Sequence, residues 1–175
     1  MKLPIEVFTR WAEEGRDEAM AKGHAKSVNA MLNFTFKNID DPFTFIDSGC
    51  GNGWVVRMVG DHPLCSKAIG IDGSTSMIEK AISIDNKNTY ECEEIINWIP
   101  DEKVDLIFSM EVFYYVDNPI KLIDHVVKNW LQPKGRLIIG IDYYKENEPS
   151  ESWPLDCEIS IMTRLSEEEW LKGFI

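Results

Sequence analysis

FIDSGCGNGW, residues 45–54, is the stretch of the 175-residue chain that decides its fold. Its apolar start predicts a strand that ends near Asp47, and a helix is predicted directly after it. Between them, Gly49, Gly51 and Gly53 occupy every second position, where the missing Cβ allows a tight turn and the close approach of a ligand. This order is typical of an open α/β sheet, although a tight strand–helix connection without a ligand would also account for the glycines.

Short apolar segments bounded by turn residues predict five strands, at 44–48, 67–72, 88–92, 104–110 and 136–142. Helical spacing of apolar residues predicts helices at 5–14, 18–34, 55–60, 74–84 and 119–131, and a further one that begins at Ser166. Near-continuous apolar runs such as LIIGI suit strands that are buried on both faces of a parallel sheet. The alternation predicts a single doubly wound α/β domain with right-handed crossovers.

Composition and charge limit the classes of partner. The chain carries 18 Lys and Arg against 30 Asp and Glu, a net charge of −12, so a nucleic-acid substrate is not expected. No apolar run reaches the ~20 residues of a membrane helix, and the N-terminus does not read as a secretory signal. The four cysteines, which are not paired at CxxC spacing, predict reduced thiols in a cytoplasmic protein without a metal site.

Asp72 adds a second element to the glycine turn. It ends the next predicted strand, 19 residues after Gly53, where a carboxylate can accept hydrogen bonds from two ribose hydroxyls. The dinucleotide fingerprint would need Gly or Ala at the position of Trp54, and no phosphate-loop string is present. A nucleoside-containing ligand without a pyrophosphate is therefore favoured.

With these residues the sequence resembles the class I S-adenosylmethionine-dependent methyltransferases. DSGCGNG (47–53) matches the first motif of that family, and GIDGSTSMIEKA (70–81) resembles the second. The similarity continues through DLIFSMEVFYYV (105–116) and LQPKGRLIIGID (131–142). The resemblance implies a Rossmann-like, mostly parallel sheet, S-adenosylmethionine as cofactor with S-adenosylhomocysteine as product, and residues 43–142 as the cofactor-binding core.

The resemblance also implies the roles of individual residues. Asp47 is expected near the methionine amino end of the cofactor, and Asp72 on the ribose hydroxyls. The backbone cradle would come from Gly49, Cys50, Gly51 and Gly53. The residues expected near the adenine are Gly73, Met77, Glu94 and Ile95, and those expected below the methyl group at the end of the fourth strand are Ser109, Met110 and Glu111.

In methyl transfer the main role of the protein is to position the acceptor, because the methyl carbon on the sulfonium is already activated. The acceptor side is expected from the N-terminal residues 1–42 and from residues 143–175, with Trp11, Tyr143 and Trp153 as an aromatic lid over a small molecule. His24 is the candidate base because its ordinary pKa of about 6.5 suits proton removal near neutrality. A solvated helix face is the alternative interpretation of residues 11–24.

The family's sheet normally has seven strands, and the last two have no counterpart in this sequence. The sequence therefore predicts an incomplete C-terminal helix and an exposed fifth strand. The edge of that strand would be covered either by a second copy of the chain or by residues 143–153 folding back over it. We expect a methyltransferase acting on a small molecule. The alternatives are a protein methyltransferase and a domain that binds S-adenosylmethionine without activity.

Overall fold

In the computed structural model, which describes residues 1–174, the sheet has five parallel strands. They are β1 (Phe43–Ser48), β2 (Cys65–Asp72), β3 (Thr89–Cys92), β4 (Val104–Met110) and β5 (Leu131–Gly140). Their order across the sheet is β3-β2-β1-β4-β5. The order reverses at β1, so the chain winds outward in both directions from the strand that carries the glycine turn. The predicted doubly wound α/β fold is confirmed.

Seven α-helices complete the described chain: α1 (Pro4–Glu13), α2 (Arg16–Phe36), α3 (Trp54–Gly60), α4 (Thr75–Ile84), α5 (Pro119–Asn129), α6 (Trp153–Asp156) and α7 (Glu167–Lys172). Several begin where the sequence provides a cap. Asn118 accepts a hydrogen bond from the backbone of Lys121 at the start of α5, and Ser166 and Glu169 form a capping box at the start of α7.

The sheet is buried on both faces because its strands alternate between two cores. Ile46 and Ile107 point to one side, where they pack with α5 and the C-terminal segment. Phe45 and Phe108 point to the other side, where they pack with α2 and α3. This arrangement accounts for the apolar runs in β1 and β4, which have no polar face to present to water.

β5 differs from its predicted bounds of 136–142. It begins earlier, because Leu131 already pairs with Val104 ahead of an irregularity in the ladder, and it ends at Gly140. β5 is an edge strand, as expected, but its two faces are partly covered: Ile139 packs toward the C-terminal core and Ile138 toward α2. Within residues 1–174 no further strand pairs with its outer edge.

The two ends of the described chain meet. The backbone of Lys2 donates to the carbonyl of Glu158 and accepts from the amide of Ser160. Val7 and Trp11 of α1 form a small third core with Ile159. The N-terminal helices and the C-terminal segment thus form one layer across the carboxyl ends of the strands. No helix in residues 1–174 has the length and apolar character that a membrane span requires.

Candidate active site

A cavity of about 740 Å³ lies at the carboxyl ends of β1, β2 and β4, beneath the helical lid formed by α1 and α2. Ligands of doubly wound sheets bind at this position, where the strand order reverses. The cavity brings together most of the residues that the sequence singled out: Trp11, His24, Asp47, Gly49, Cys50, Gly51, Asp72, Gly73, Met77, Glu94, Ile95, Met110, Glu111 and Trp153.

Three predicted site residues do not line the cavity. Gly53 is the N-cap residue of α3 and lies under the ring of Tyr90. Ser109 is fully buried, and its hydroxyl donates to the carbonyl of Ser48 over 2.8 Å. Tyr143, expected in the aromatic lid, lies one layer behind the cavity surface, with its ring 6.2 Å from that of Trp153. The prediction for Tyr143 is corrected accordingly, since the side chain is a core residue with only 4% of its surface exposed.

The glycine turn has left-handed backbone at all three alternate positions, with φ of 77° at Gly49, 52° at Gly51 and 75° at Gly53. A Cβ at Gly49 would collide with the side chain of Val112, and one at Gly53 would collide with Tyr90. At Gly51 the nearest atom to a Cβ is the sulfur of Met77, at 3.9 Å. Only Gly51 therefore leaves free space for a ligand above the turn.

Asp72 holds the turn in place. Its Oδ2 accepts from the backbone N–H of Gly51 at 2.9 Å and its Oδ1 from that of Ser74 at 2.8 Å. Burial raises the pKa of this carboxyl, while the two backbone donors lower it. Each oxygen keeps acceptor capacity, because a carboxylate offers about four lone-pair sites and two are used here.

Asp47 ends β1 and is 3% exposed. Burial, with a second contribution from the charge of Asp72, raises the pKa of Asp47 to about 8. A cationic group placed beside it would favour the ionised form. Cys50 is a buried neighbour without nucleophilic character, because burial raises the pKa of its thiol well above the ordinary value.

Glu111 follows β4 with a φ of 58°, a left-handed conformation that is uncommon for a residue with a side chain. Its Oε2 accepts from the hydroxyl of Tyr114 at 2.6 Å, and its Oε1 accepts from the backbone N–H of Asp142 at 2.5 Å. Burial raises the pKa of this carboxyl to about 7, even though the Tyr114 hydroxyl lowers it. The structure therefore holds a carboxyl that titrates near neutrality at the cavity surface.

The helical lid contributes an aromatic surface. Phe8 packs edge-on against both Trp11 and Tyr115, at 5.3 Å and 5.0 Å between ring centroids. The guanidinium of Arg16 lies 4.2 Å from the centre of the Trp11 ring. The indole N–H of Trp11 is buried and has no hydrogen-bond partner within the described residues. Of these, sequence analysis identified only Trp11 as a site residue, although the helical spacing of Phe8 and Trp11 could have indicated a shared face.

Asp17 connects the lid to the glycine turn. It lines the cavity, and its side chain is 2% exposed. Its Oδ2 accepts from the Asn52 amide at 2.7 Å and lies 2.8 Å from the Lys80 ammonium on α4. Sequence analysis missed this residue, because nothing in the local pattern distinguishes Asp17 from the exposed Glu18 beside it.

A model of the methyltransferase domain family, described as "Methyltransferase domain", matches residues 15–173. The chain belongs to this family. The matched range contains the glycine turn, the whole sheet and α2, whereas α1, which carries the cavity residues Phe8 and Trp11, precedes it. The resemblance to class I S-adenosylmethionine-dependent methyltransferases is confirmed.

Named relatives of this methyltransferase domain include trans-aconitate 2-methyltransferase of Escherichia coli O1:K1 / APEC, which is 27% identical over 65% of the chain and 43% of the relative. Malonyl-[acyl-carrier protein] O-methyltransferase 2 of Ilyobacter polytropus is 27% identical over 87% of the chain and 60% of the relative. The chain thus spans between about two fifths and three fifths of these two proteins.

Among solved structures, the complex between the Haloferax volcanii Trm112 methyltransferase activator and a methyltransferase contains a similar chain. The TM-score is 0.82 and the identity 28%, over 95% of this chain and 74% of the other. The five-stranded sheet and the lid therefore belong to a fold that methyltransferases share.

Proposed function

We propose that the protein is an S-adenosylmethionine-dependent methyltransferase that acts on a small molecule. The observation that carries this proposal is the convergence of Gly51, Asp72 and Asp47 on one cavity, with free space above Gly51. Trans-aconitate and malonyl-carrier methyltransferases among the relatives support a small acceptor. The net charge of −12 argues against a nucleic-acid acceptor.

The residues present fit the cofactor at both of its polar ends. Asp72 has unused acceptor capacity for the ribose hydroxyls, and the open position above Gly51 lets a ligand approach the backbone. Within residues 1–174 the buried carboxyl of Asp47 has no cationic partner, and the ammonium and sulfonium groups of the cofactor would supply one. Gly73, Met77, Glu94 and Ile95 surround the remaining part, where an adenine would lie.

When bound, S-adenosylmethionine supplies an activated methyl group on a sulfonium. The protein's own contribution is to exclude water and orient the acceptor, which Trp11 of the lid and Trp153 of α6 would do at the cavity surface. Proton removal is needed only for acceptors that carry a proton on the reacting atom. His24 remains a candidate for it, but burial lowers the pKa of its imidazole, which makes it a weaker base.

Calorimetry with S-adenosylhomocysteine, S-adenosylmethionine and NAD tests the proposal. We expect the first two ligands to bind and NAD not to bind. Asp72→Asn should weaken S-adenosylhomocysteine binding by about 2 kcal/mol, since a charge-assisted bond to a ribose hydroxyl is lost. Asp101→Asn, at an exposed position outside the cavity, is the matched control. Equal affinity in the two variants, both folded by circular dichroism, would contradict the placement.

We also propose that an activator protein can serve as a partner, because the similar solved chain comes from a complex with the Trm112 activator. Co-expression with Haloferax volcanii Trm112 followed by size-exclusion chromatography provides the test. Co-elution with a rise in melting temperature supports a partner of this kind. Separate elution with an unchanged melting temperature contradicts it.

A further inference from the structure

Acidic residues outnumber basic residues around the cavity, and this difference limits the charge that the methyl acceptor can carry. Six carboxyl residues line it: Asp17, Asp47, Asp72, Glu93, Glu94 and Glu111. Within residues 1–174, Arg16 is the one Lys or Arg among the lining residues, and its guanidinium already lies over Trp11 and 3.9 Å from Glu14. A di- or tricarboxylate would need several cationic partners to leave water. The cavity therefore disfavours acceptors such as trans-aconitate.

The aromatic residues on the lid side of the cavity favour a positively charged acceptor. The aromatic residues that line the cavity are Phe8, Tyr115, Trp153 and Trp11, whose ring already has the Arg16 guanidinium over it, together with aliphatic side chains such as Ile161. The faces of aromatic rings attract cations, most strongly where water is excluded. An apolar molecule that carries an ammonium group would match both the rings and Glu111, because Asp17 is paired with Lys80 and Asp47 and Asp72 are the residues that would hold the cofactor.

Glu111 is the carboxyl in position to act on such a group. It lines the cavity directly after Met110, at the end of β4. Its left-handed backbone is maintained by the packing around it, and one donor on each oxygen fixes the plane of the carboxyl group. Each oxygen keeps a further lone pair that can accept a proton.

We propose that the methyl acceptor is an apolar amine and that Glu111 is the catalytic residue that accepts its proton. This inference rests on the proposed function. The proton passes from the ammonium nitrogen to a Glu111 oxygen, which leaves the nitrogen lone pair free. That lone pair forms the new nitrogen–carbon bond as the carbon–sulfur bond breaks, and the electron pair of the broken bond stays on sulfur as a neutral thioether.

The groups that face Glu111 account for a titration near neutrality. Burial is the largest effect and raises its pKa to about 7. The Tyr114 hydroxyl lowers that pKa, the Asp142 carboxylate raises it, and the Asp142 backbone N–H lowers it. Tyr115 lies beside Tyr114, and His24 on α2 interacts with Asp142. An alcohol would be a poorer match than an ammonium, since a carboxyl with this pKa is too weak a base to deprotonate a hydroxyl of water-like pKa, about 15.

Binding of two matched probes tests the substrate class. Phenethylamine and 3-phenylpropanoate share a skeleton and differ in charge, and trans-aconitate represents the polyanionic class. Calorimetry at pH 8, with the protein saturated with S-adenosylhomocysteine, should give at least tenfold tighter binding of phenethylamine than of either acid. Tighter binding of either acid would overturn the inference. A protein that does not bind S-adenosylhomocysteine would instead refute the proposed function, so the two failures are distinguishable.

The role of Glu111 is tested by the pH dependence of phenethylamine binding. In the wild type the affinity should rise as pH increases through about 7, where the carboxyl ionises. Glu111→Gln should abolish this rise and leave S-adenosylhomocysteine affinity within a few-fold. Glu79→Gln, the same change at an exposed position on α4 outside the cavity, should behave as the wild type. A rise that persists in Glu111→Gln and disappears in His24→Asn would assign the proton to His24 instead.

If Glu111→Gln does not fold, a variant that leaves Glu111 in place can still test its role in the pH dependence of binding. Tyr114→Phe removes the hydroxyl that lowers the pKa of Glu111, so the inflection in the binding profile should move to higher pH. Carbon-13 NMR of protein labelled at the glutamate carboxyls provides an independent reading of the same titration. An unchanged midpoint in Tyr114→Phe would contradict the assignment.

Discussion

The three glycines of the turn after β1 have different neighbours in the structure, although they are equally spaced in the sequence. Gly49 is required because Val112 packs against it, and Gly53 because the ring of Tyr90 lies over it. Gly51 faces the cavity. All three glycines have left-handed backbone, but packing against a neighbouring side chain restricts only Gly49 and Gly53, whereas Gly51 faces open space in the cavity.

Alanine substitutions should separate these roles. Gly53→Ala should lower the melting temperature, because its Cβ would collide with Tyr90. In Gly51→Ala the new Cβ has no neighbour closer than 3.9 Å. The free energy of unfolding should therefore fall only by the ~1–2 kcal/mol that a left-handed backbone costs a residue with a side chain. Gly51→Ala should nevertheless weaken S-adenosylhomocysteine binding more than tenfold, since the new methyl group enters the cavity. Thermal unfolding and calorimetry on the two variants measure both effects, and weaker binding in Gly53→Ala than in Gly51→Ala would contradict the assignment.

Asp47 couples the free energy of unfolding to pH. Its pKa is about 8 in the folded protein and near the ordinary value of 3.8 in the unfolded chain, so the folded state binds more protons between these values. The contribution of Asp47 should therefore make the free energy of unfolding fall as pH rises toward about 8. Above that pH, Asp47 should add no further pH dependence. Urea unfolding at pH 6 and pH 8.5 should show a smaller loss in Asp47→Asn than in the wild type. Asp61→Asn, at an exposed residue, should match the wild type.

At the scale of elements, the structure joins the lid, the glycine turn and α4 through one carboxylate. Asp17 of α2 contacts Asn52 in the turn and Lys80 on α4. An exposed ion pair of similar length joins Lys87, which follows α4, to Asp61 at the end of α3 at 2.7 Å and provides an internal comparison. The two pairs differ mainly in burial, since the side chain of Asp17 is 2% exposed and that of Asp61 is 77% exposed.

Removal of the lysine should therefore have unequal effects in the two pairs. Lys80→Met leaves a buried carboxylate with only Asn52 as partner and should lower the free energy of unfolding by about 2 kcal/mol. Lys87→Met should change it by less than about 1 kcal/mol. Denaturant unfolding of the two variants tests this comparison. Equal losses would mean that the contact between the lid and α4 does not depend on Asp17.

At the scale of the whole molecule, the outer edge of β5 is the surface where a second copy of the chain could pair. Its side chains are only partly covered, and within residues 1–174 its outer backbone groups have no strand partner. We expect a dimer that pairs along this edge. Light scattering after size-exclusion chromatography at increasing concentration should show a growing dimer fraction. A monomer at every concentration would contradict pairing and would mean that partly covering the two faces of β5 is sufficient.

Local sequence signals determined the elements and the class of fold. Asn118, Ser74 and Ser166 are caps whose effect is complete within three residues, and the period of the apolar runs reflects burial on one or both faces of an element. The glycine turn and Asp72 also form a local signal, because a strand–turn–helix–strand unit brings them together over about 25 residues. These features were predictable because their causes lie close together in the chain.

Only the tertiary structure decided which side chains meet above the strands. It placed Tyr143 behind the cavity surface, joined Asp17 to Lys80 over 63 residues, and brought Lys2 next to Ile159. It also set the charge state of Glu111, whose pKa depends on burial beneath the lid and on Asp142 from another strand end. Contacts of this kind have no sequence period, since they depend on how the helices lie across the sheet.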